Sequence, residues 1–583
     1  MPSASKRPIG LPAVLLALGF LLTGCQTYTE RTQSRDEALR TGNIAAAVAQ
    51  ADRDADKNAN NKDTILFRLE QGAILRTAAL ANLQTPPPAA QAASQSTIDG
   101  EPAGQTQTNQ ALNAAAPEDI APRIAWLTRS LSAFDEAARR IEAEEAAAKI
   151  KVGSEVGAAL TNQANTPYRG RAYDKVMLHT YQALNYLQLR DADAARVELN
   201  RALQSQRDAV DANAKRIAEA EKLADEAKSG GVKDDQGRQG SGYDVDRATS
   251  DPRTSAGIAN IEAKLNSAIL PYGDYVNPFT TFLDALVFTH QGLDASDLER
   301  ARKSWERVVG FAPQNPYARA DYVAVEPDSQ APASVNSEPQ AGTPAPSSAA
   351  APAASSEAPA VPATTEPSAV AASPAPAPAS VPADTAVAAA PAASPSLPAP
   401  ASGITYVIFE TGAAPYRDQI RIDLPLFLVT SGVSYVGMAL PQLETVSGHA
   451  SVLTATTTDG RSYSTSLVAS MDSVVAQDFK NEWPTILTKT IISTATKATI
   501  DAILQKQIQD QAGATGALLF QLATAVTQAA INIADTRTWR SLPKEFHYAR
   551  IDTPADRQLT LAAGTVVSTV TLEPAAVQVV YVK

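Results

Sequence analysis

The sequence predicts an α+β protein in which a helical N-terminal region is followed by a long low-complexity linker and a mixed C-terminal domain of β-sheet with two long helices. Three observations carry this prediction. Apolar residues recur every three to four positions over the first half of the chain, as they do on the buried face of a helix. The composition changes to Ala, Pro, Ser and Val from about Glu326 to Ser402, and β-rich runs then recur between Ile404 and Lys583.

The N-terminus has the features of an export signal. Lys6 and Arg7 precede an apolar run that is too short to span a bilayer as a stable helix. The string Leu22-Thr23-Gly24-Cys25 resembles the bacterial lipobox, in which the cysteine is lipidated and becomes the first residue of the mature protein. We therefore expect residues 1–24 to be a lipoprotein signal peptide and Cys25 to be acylated, with palmitate among the acyl groups. The alternative is an ordinary secretory signal with a cysteine near the cleavage point by chance.

Composition limits the partners of the chain. A formal net charge of −12 argues against binding to nucleic acid and against adhesion to anionic lipid through basic patches. Membrane attachment is therefore expected through the N-terminal lipid anchor. Gln26 follows the cysteine where, by resemblance to enteric lipoproteins, an Asp would favour the inner membrane. The expected location is the periplasmic face of the outer membrane.

The helical region is expected to cover residues 25–325. Its early helices include one with Leu66, Leu69 and Gly72 on a single face, and Gly72 suggests that a neighbouring helix approaches closely there. Two insertions are predicted to be disordered. The first, residues 84–117, has almost no large apolar side chain to offset the entropy of ordering, and the second, residues 229–255, is polar and rich in glycine.

Two helical pairs in this region resemble tetratricopeptide repeats, whose small residues let antiparallel helices touch. The positions that carry the resemblance are Ala183, Tyr186, Ala195, Leu199 and Ala202 in the first pair and Ala285, Phe288, Ala301, Trp305, Val308 and Pro313 in the second. The turn of the second pair is several residues longer than the repeat usually permits. The alternative is an irregular helical bundle without a common repeat.

The segment from 326 to 402 is predicted to be an extended linker, because its composition favours polyproline-like conformations over a packed core. Fully extended, it would reach on the order of 200 Å at about 3.1 Å per residue. The sequence therefore predicts that the C-terminal domain, residues 403–583, has its own core and is flexibly tethered.

The C-terminal domain contains β-rich runs and two predicted helices. The runs are at 405–409, 419–424, 433–436, 462–465, 565–570 and 576–582. The helices are Ile486 to about Lys506 and Gly516 to Ala534. The second belongs to an uncharged run, Gln511–Ala534, which is long enough to cross a membrane but contains recurring Gln and Thr. We favour a buried helix beneath the sheet over a membrane span.

Several local strings resemble one uncharacterised family of bacterial cell-envelope lipoproteins, which has no established biochemical activity. They are Pro167-Tyr168-Arg169-Gly170 leading into 178–187, Asn277-Pro278-Phe279, 407–412, 421–425, Met471-Asp472 and 534–543. They occur in both predicted domains. The resemblance implies a tetratricopeptide-like helical half and implies no reaction.

The sequence shows no catalytic constellation, no cofactor motif and no metal-ligand spacing. His179, His290, His449 and His547 are scattered and form no HExxH pattern. In the string 432–437 the second glycine is one residue too late for the G-x-S-x-G elbow of a serine hydrolase.

Asp535, Arg537, Trp539 and Arg540 form the densest polar and aromatic group of the C-terminal domain. It could be a recognition surface. We favour a helix end with an internal ion pair and a tryptophan that covers the edge of the core.

These observations predict a non-enzymatic outer-membrane lipoprotein that acts as an assembly or protein-protein interaction factor through its helical array. Its expected partners are the membrane, through the lipid, and other envelope proteins. One alternative is an envelope enzyme acting on glycan or peptide, which would need two carboxylates brought together in a cleft. Another is a subunit of an export assembly whose uncharged helix inserts in the membrane.

Overall fold

The computed structural model describes residues 28–83, 120–150, 163–233, 237–267, 270, 272–326, 403–429, 434–531 and 533–583, with only the backbone at 120, 149–150, 508–509 and 511–531. Within these residues the chain is mixed helix and sheet, with a helical N-terminal half and a C-terminal sheet region. This confirms the coarse fold class. Cys25, the predicted insertion at 84–117 and all but the first residue of the predicted linker lie outside the described residues.

Within the described residues the N-terminal half is helical, and one long helix lies within the sheet region. They are α1 (Tyr28–Arg40), α2 (Ile44–Lys57), α3 (Thr64–Leu80), α4 (Ile120–Ile150), α5 (Ala172–Gln188), α6 (Ala192–Lys228), α7 (Val245–Thr249), α8 (Pro252–Ser267), α9 (Pro278–Gln291), α10 (Ala295–Phe311), α11 (Pro316–Val325) and α12 (Met471–Ile531).

Small residues set the closest helix contacts, as the sequence predicts. The Gly72 backbone lies against the ring of Phe134, so that a Cβ at this glycine would be 2.5 Å from the ring. The Ser130 hydroxyl donates to the Gly72 carbonyl at 2.7 Å and fixes the approach of α3 and α4. Ala195 is fully buried where α5 and α6 pack together.

The two helical pairs lie side by side. The inner helices α5 and α9 meet through a 2.7 Å hydrogen bond between the hydroxyls of Thr180 and Thr280. The outer helices α6 and α10 are joined by a hydrogen bond from Arg300 to Asn200 and by an ion pair between Arg196 and Asp297, each at 2.7 Å. The two pairs are therefore adjacent: both α5 and α6 pack on α9, and long side chains bridge α6 to α10.

Part of the insertion predicted to be disordered at 229–255 is folded. Tyr243 is buried and donates its hydroxyl to the carbonyl of Pro425 at 2.7 Å. Asp244 then caps α7 by accepting from the N–H groups of Asp246 and Arg247. Tyr243, together with the buried Val232 and Ala248, attaches this polar, glycine-rich segment to the body, which composition alone does not reveal.

The strands form two four-stranded sheets and a hairpin. They are β1 (Ile404–Thr411), β2 (Tyr416–Pro425), β3 (Tyr435–Glu444), β4 (Thr454–Thr457), β5 (Ser462–Ser464), β6 (Ser466–Ser470), β7 (Glu545–Asp552), β8 (Gln558–Ala563), β9 (Val566–Thr571) and β10 (Val577–Val582). The central sheet has the order β10-β1-β7-β6, the outer sheet has the order β5-β4-β8-β9, and β2 pairs with β3. Within the central sheet, β1 is parallel to β10 and antiparallel to β7.

The central sheet is covered on both faces, and this produces the fully buried strand β1. Tyr406 and Ile408 belong to the core shared with the helices, whereas Val407 and Phe409 belong to the core between the two sheets. The sheet region therefore contributes two layers, and the helices form a third. The sequence identifies six of the strands but misses β4, β6, β7 and β8.

Helix α12 occupies the interval in which two helices are predicted. It runs from Met471 to Ile531. A straight helix from Glu482 to its end would be about 70 Å long at about 1.5 Å per residue. Yet Arg171 contacts Glu482 at 2.7 Å and also Asp535, four residues beyond the helix, at 3.6 Å. The chain therefore reverses its direction between Glu482 and Asp535.

No helix within the described residues combines the length and the apolar character that crossing a membrane requires. The uncharged run Gln511–Ala534 is not tested by this finding, because the structure describes only the backbone at 511–531. Its predicted burial beneath the sheet stays a prediction.

The helical and sheet regions belong to one compact unit. This differs from the expectation of a tethered domain with its own core. The physical reason is aromatic packing: Phe279 of α9 stacks on Phe546 of β7 with ring centroids 3.7 Å apart, and both belong to the main core. In addition, the Tyr406 hydroxyl of β1 donates to Asp321 of α11 at 3.0 Å. Asp321 and Tyr406 therefore hold the described flanks of residues 327–402 close together.

Candidate functional site

A largely buried group of charged side chains joins the helical and sheet regions, and we call it the Glu482 cluster. Its members are Arg171 at the start of α5, Arg216 on α6, Arg417 on β2, Asp478 and Glu482 on α12, and Asp535 after α12. Asp478 and Glu482 are four residues apart, so both side chains lie on one face of the helix.

Glu482 is the centre of the cluster. Its Oε2 accepts from Arg171 at 2.7 Å and from Arg417 at 2.8 Å, and its Oε1 lies 3.4 Å from Arg216. The guanidinium of Arg417 also lies over the ring of Phe479, 4.5 Å from the centroid. Three cations from three different elements therefore converge on one buried carboxylate.

The ionic contacts continue to the first helices of the chain. Arg537 pairs with Asp535 at 2.7 Å and with Asp63, just before α3, at 3.1 Å. Arg31 of α1 reaches the same Asp63 at 2.8 Å. The N-terminal helices are therefore joined to the segment after α12 by charge-assisted hydrogen bonds, which are stronger than neutral ones.

Glu70 of α3 makes a second buried connection to this segment. It accepts from Arg35 at 2.9 Å and from the backbone N–H groups of Arg540 and Ser541 at 2.8 and 3.1 Å. The Tyr28 hydroxyl donates to the same carboxylate at 3.1 Å. Because these donors come from two distant parts of the chain, Glu70 fixes α1 and the 540–541 backbone in one position.

The pKa values of the two carboxyl groups on α12 are shifted in opposite directions. Burial raises the pKa of Asp478 well above its usual range, and the neighbouring Glu482 raises it further. Burial also disfavours ionisation of Glu482, but Arg171, Arg417 and Arg216 outweigh it and lower its pKa. One carboxyl is therefore stabilised as the acid and the other as the anion, a pattern that also occurs in catalytic pairs.

Access to solvent distinguishes this cluster from a catalytic cleft. Asp478 is 2% exposed and Glu482 is 8% exposed. Neither lines the surface depression of about 520 Å³ on α6 and α10, nor the one of about 410 Å³ around α7 and Phe427. Both oxygens of Asp478 and the Nε of Arg417 have no hydrogen-bond partner within the described residues. Buried water could satisfy such atoms, but a polymer substrate could not reach them.

Comparison with known protein families, with curated proteins and with solved structures gives no match to this chain.

The histidines that look scattered in the sequence are each held by a partner. His179 contacts Glu198 at 2.7 Å, and His290 contacts the Tyr406 hydroxyl at 3.0 Å. His449 and His547 meet at one carboxylate, with Nε2 atoms 3.4 and 2.9 Å from the same oxygen of Glu545. Across the described ranges no group of three His, Cys, Asp or Glu side chains could hold a metal ion.

A second buried polar group lies where α11 meets the central sheet. The carboxylate of Asp321 accepts from Tyr406 at 3.0 Å and from Tyr548 at 3.1 Å, and Arg550 lies 3.1 Å away. Burial raises the pKa of Asp321 to about 7, although Arg550 and the two tyrosines oppose the shift. Burial also lowers the pKa of the adjacent His290 to about 4, and Arg550 adds to this effect.

The polar and aromatic segment after α12, residues 535–540, connects the sheet region to the helical region. Trp539 is fully buried and its indole N–H donates to Ser541 at 2.9 Å. Arg537 pairs internally with Asp535, as the favoured interpretation predicts. The contacts of Arg537 with Asp63 and of Arg171 with Asp535 are not predictable from local sequence, because the paired residues lie hundreds of positions apart.

Sequence reasoning missed the Glu482 cluster itself. Asp478 and Glu482 stand four residues apart among the apolar residues Val474, Val475, Phe479 and Trp483, all of which are buried. Charges on the apolar face of a helix are rare without a partner, so this spacing is a usable indication of a buried ionic group.

Proposed function

We propose that this protein is a non-enzymatic lipoprotein, anchored through Cys25 to the periplasmic face of the outer membrane, that acts as an assembly or interaction factor. The lipobox-like string before the only cysteine supports the anchor. The two adjacent helical pairs support a tetratricopeptide-like array as the docking element, because such arrays present extended surfaces to partners.

The proposed docking role depends on which helices of the two pairs are exposed to solvent. The inner helix α9 packs on the chain's own sheet, where Phe282 and Tyr548 have ring centroids 4.5 Å apart. The outer helix α6, by contrast, exposes Val197 and Val210, each to about half of its surface. We therefore place the docking surface on the outer helices α6 and α10 and exclude the inner face.

This surface combines apolar and basic groups. The depression between α6 and α10 is lined by Arg201, Arg207 and Arg300 together with Leu203. The rest of the protein is acidic, so this basic and apolar combination favours a partner segment with acidic and apolar side chains.

In-cell photocrosslinking tests the docking role. A photoreactive residue placed at Val197 or Val210 should capture the same envelope protein, whereas one at Val452, an equally exposed valine beside the outer sheet, should not. The double variant Val197→Glu, Val210→Glu should abolish capture by a photoreactive residue placed on α10. It should leave the circular dichroism spectrum unchanged. Capture from Val452 alone would move the function to the sheet region.

Fatty-acid labelling tests the anchor. Cys25→Ser should fold normally but carry no incorporated fatty acid and leave the membrane fraction. If this variant still fractionated with membranes and still carried fatty acid, the anchor assignment would be wrong.

The alternative of an envelope enzyme has one observation in its favour, which is the opposed pKa shifts of Asp478 and Glu482. Glycosidases use such pairs as acid and nucleophile or base. Burial of both carboxyls argues against this role. Release of soluble fragments from cell-wall glycan by the purified protein, lost in Asp478→Asn, would favour the enzyme over the interaction factor.

A further inference from the structure

We propose that one face of the body lies directly against the phospholipid bilayer, and we call it the anchor face. It is the protein surface around the start of α1, where Glu30 and Arg31 of α1 and Asp418 of β2 are exposed. This proposal rests on lipidation of Cys25 and adds to it an interaction surface, its orientation and its partner.

The folded body begins almost immediately after Cys25. Tyr28 is 3% exposed, and its ring lies 5.6 Å from that of Phe67. Its hydroxyl donates to the buried Glu70. Tyr28 is therefore fixed in the core of the protein and cannot serve as part of a loose tether.

Chain length then limits the distance between the lipid and the fold. Only Gln26 and Thr27 separate Cys25 from Tyr28. Three Cα-to-Cα steps of about 3.8 Å allow a separation of at most about 11 Å. Because the acyl chains of Cys25 would insert in the bilayer, the start of α1 must lie at the lipid surface.

Two other parts of the chain meet the start of α1. The Thr29 hydroxyl donates to the carbonyl of Arg417 at 3.4 Å, which places the beginning of β2 beside it. The N–H of Ala534 donates to Gln419 at 2.8 Å. The chain therefore returns from α12 to this same face, and the uncharged sequence run Gln511–Ala534 ends there.

The charges at this face favour attachment by lipid insertion over attraction to anionic headgroups. Arg31 is paired with Asp63, and Arg540 is paired with Asp36. The cations of the face are therefore already neutralised within the protein. We expect the same orientation on vesicles of zwitterionic phosphatidylcholine and on vesicles that also contain an anionic lipid.

Fluorescence quenching by lipid tests the orientation, because an introduced thiol is unique once Cys25 is lipidated. Two exposed aspartates give a matched pair. Asp418→Cys lies on the anchor face, beside Arg417. Asp459→Cys lies at the opposite end of the sheets. The neighbouring Thr458 donates to Asp556, which follows the end of β7. That end of β7 pairs with the start of β1.

The lipidated full-length variants are labelled with a fluorophore and reconstituted in phosphatidylcholine vesicles that contain a headgroup-spin-labelled lipid. The label at Asp418→Cys should lose most of its fluorescence, and the label at Asp459→Cys should keep it. Insertion of 20 Gly and Ser residues between Thr27 and Tyr28 should abolish the quenching while the protein stays bound, because such a linker spans about 25 Å.

Each outcome separates this inference from the proposed function. Fatty acid on Cys25 with equal quenching at the two positions, or with no quenching at Asp418→Cys, overturns the anchor face and leaves the lipoprotein assignment intact. Absence of fatty acid from Cys25, measured by mass spectrometry, overturns both. Quenching that the 20-residue insertion does not change also overturns the anchor face.

Discussion

Cleavage of the chain between residues 327 and 402 should leave the protein in one piece, because the helical and sheet regions share a core. We propose inserting a specific protease site after Ala350 and cutting the native protein. The two fragments are expected to co-elute on size exclusion and to separate only in denaturant. Two independently folded domains on a flexible linker would instead elute separately after the cut.

The contribution of one contact to the association of the two fragments can be calculated. Phe279 is fully buried and stacks on Phe546 across the junction of the two fragments. Removing such a ring typically costs about 3–5 kcal/mol. At about 1.4 kcal/mol per tenfold, Phe279→Ala should weaken association of the cut fragments roughly 150- to 4,000-fold.

Titration calorimetry or dilution with size exclusion measures this loss. The matched control is Phe427→Ala, because Phe427 is half exposed and its removal should change association little. Fragments that separate under native conditions, or a Phe279→Ala pair that binds as tightly as the Phe427→Ala pair, would refute the shared core.

Three further predictions concern local features. Gly72→Ala should lower the free energy of unfolding by about 1–3 kcal/mol because its Cβ would meet Phe134, whereas Gly310→Ala, with open space around it on α10, should be neutral or stabilising. Ala195→Arg should cost several kcal/mol by forcing a charge into the seam of α5 and α6, and both fragments should lose structure together. The pKa of Asp321 is about 7 in the folded state, against 3.8 in the unfolded chain, so the folded state binds this proton more tightly. The free energy of unfolding should therefore decrease as the pH rises from about 4 to 7. Asp321→Asn should flatten that slope in urea titrations, and an unchanged slope would contradict the assignment.

Local sequence patterns predicted the helices well and the assembly poorly. The periodicity around Ala195 and the small residue at Gly72 both identify contacts that the structure contains, because each depends on neighbours within one helical pair. Strand β7 was missed because Glu545, Ala549 and Asp552 dilute its β-forming residues, whereas the equally buried β1 is a continuous β-rich run. The separate C-terminal core was predicted from the composition of residues 326–402, which contains no information about what its flanks contact.

The candidate site was unpredictable for a related reason. Glu482 binds Arg171 and Arg417, which lie 311 and 65 residues away in sequence. No short motif encodes such a meeting of α5, β2 and α12. What sequence can supply is the partial pattern of Asp478 and Glu482 among apolar residues, which indicates a buried charge but not its partners.

The hydrogen bond between Tyr406 and Asp321 holds the two described flanks of residues 327–402 close together. The chain before this interval and the chain after it therefore meet within one core, whatever number of residues separates them in sequence. For a flexible connection, doubling the length adds only about 0.6 kcal/mol of closure entropy. Variants that lose or gain Ala and Pro residues between 327 and 402 are therefore expected to unfold at nearly the same urea concentration as the parent protein.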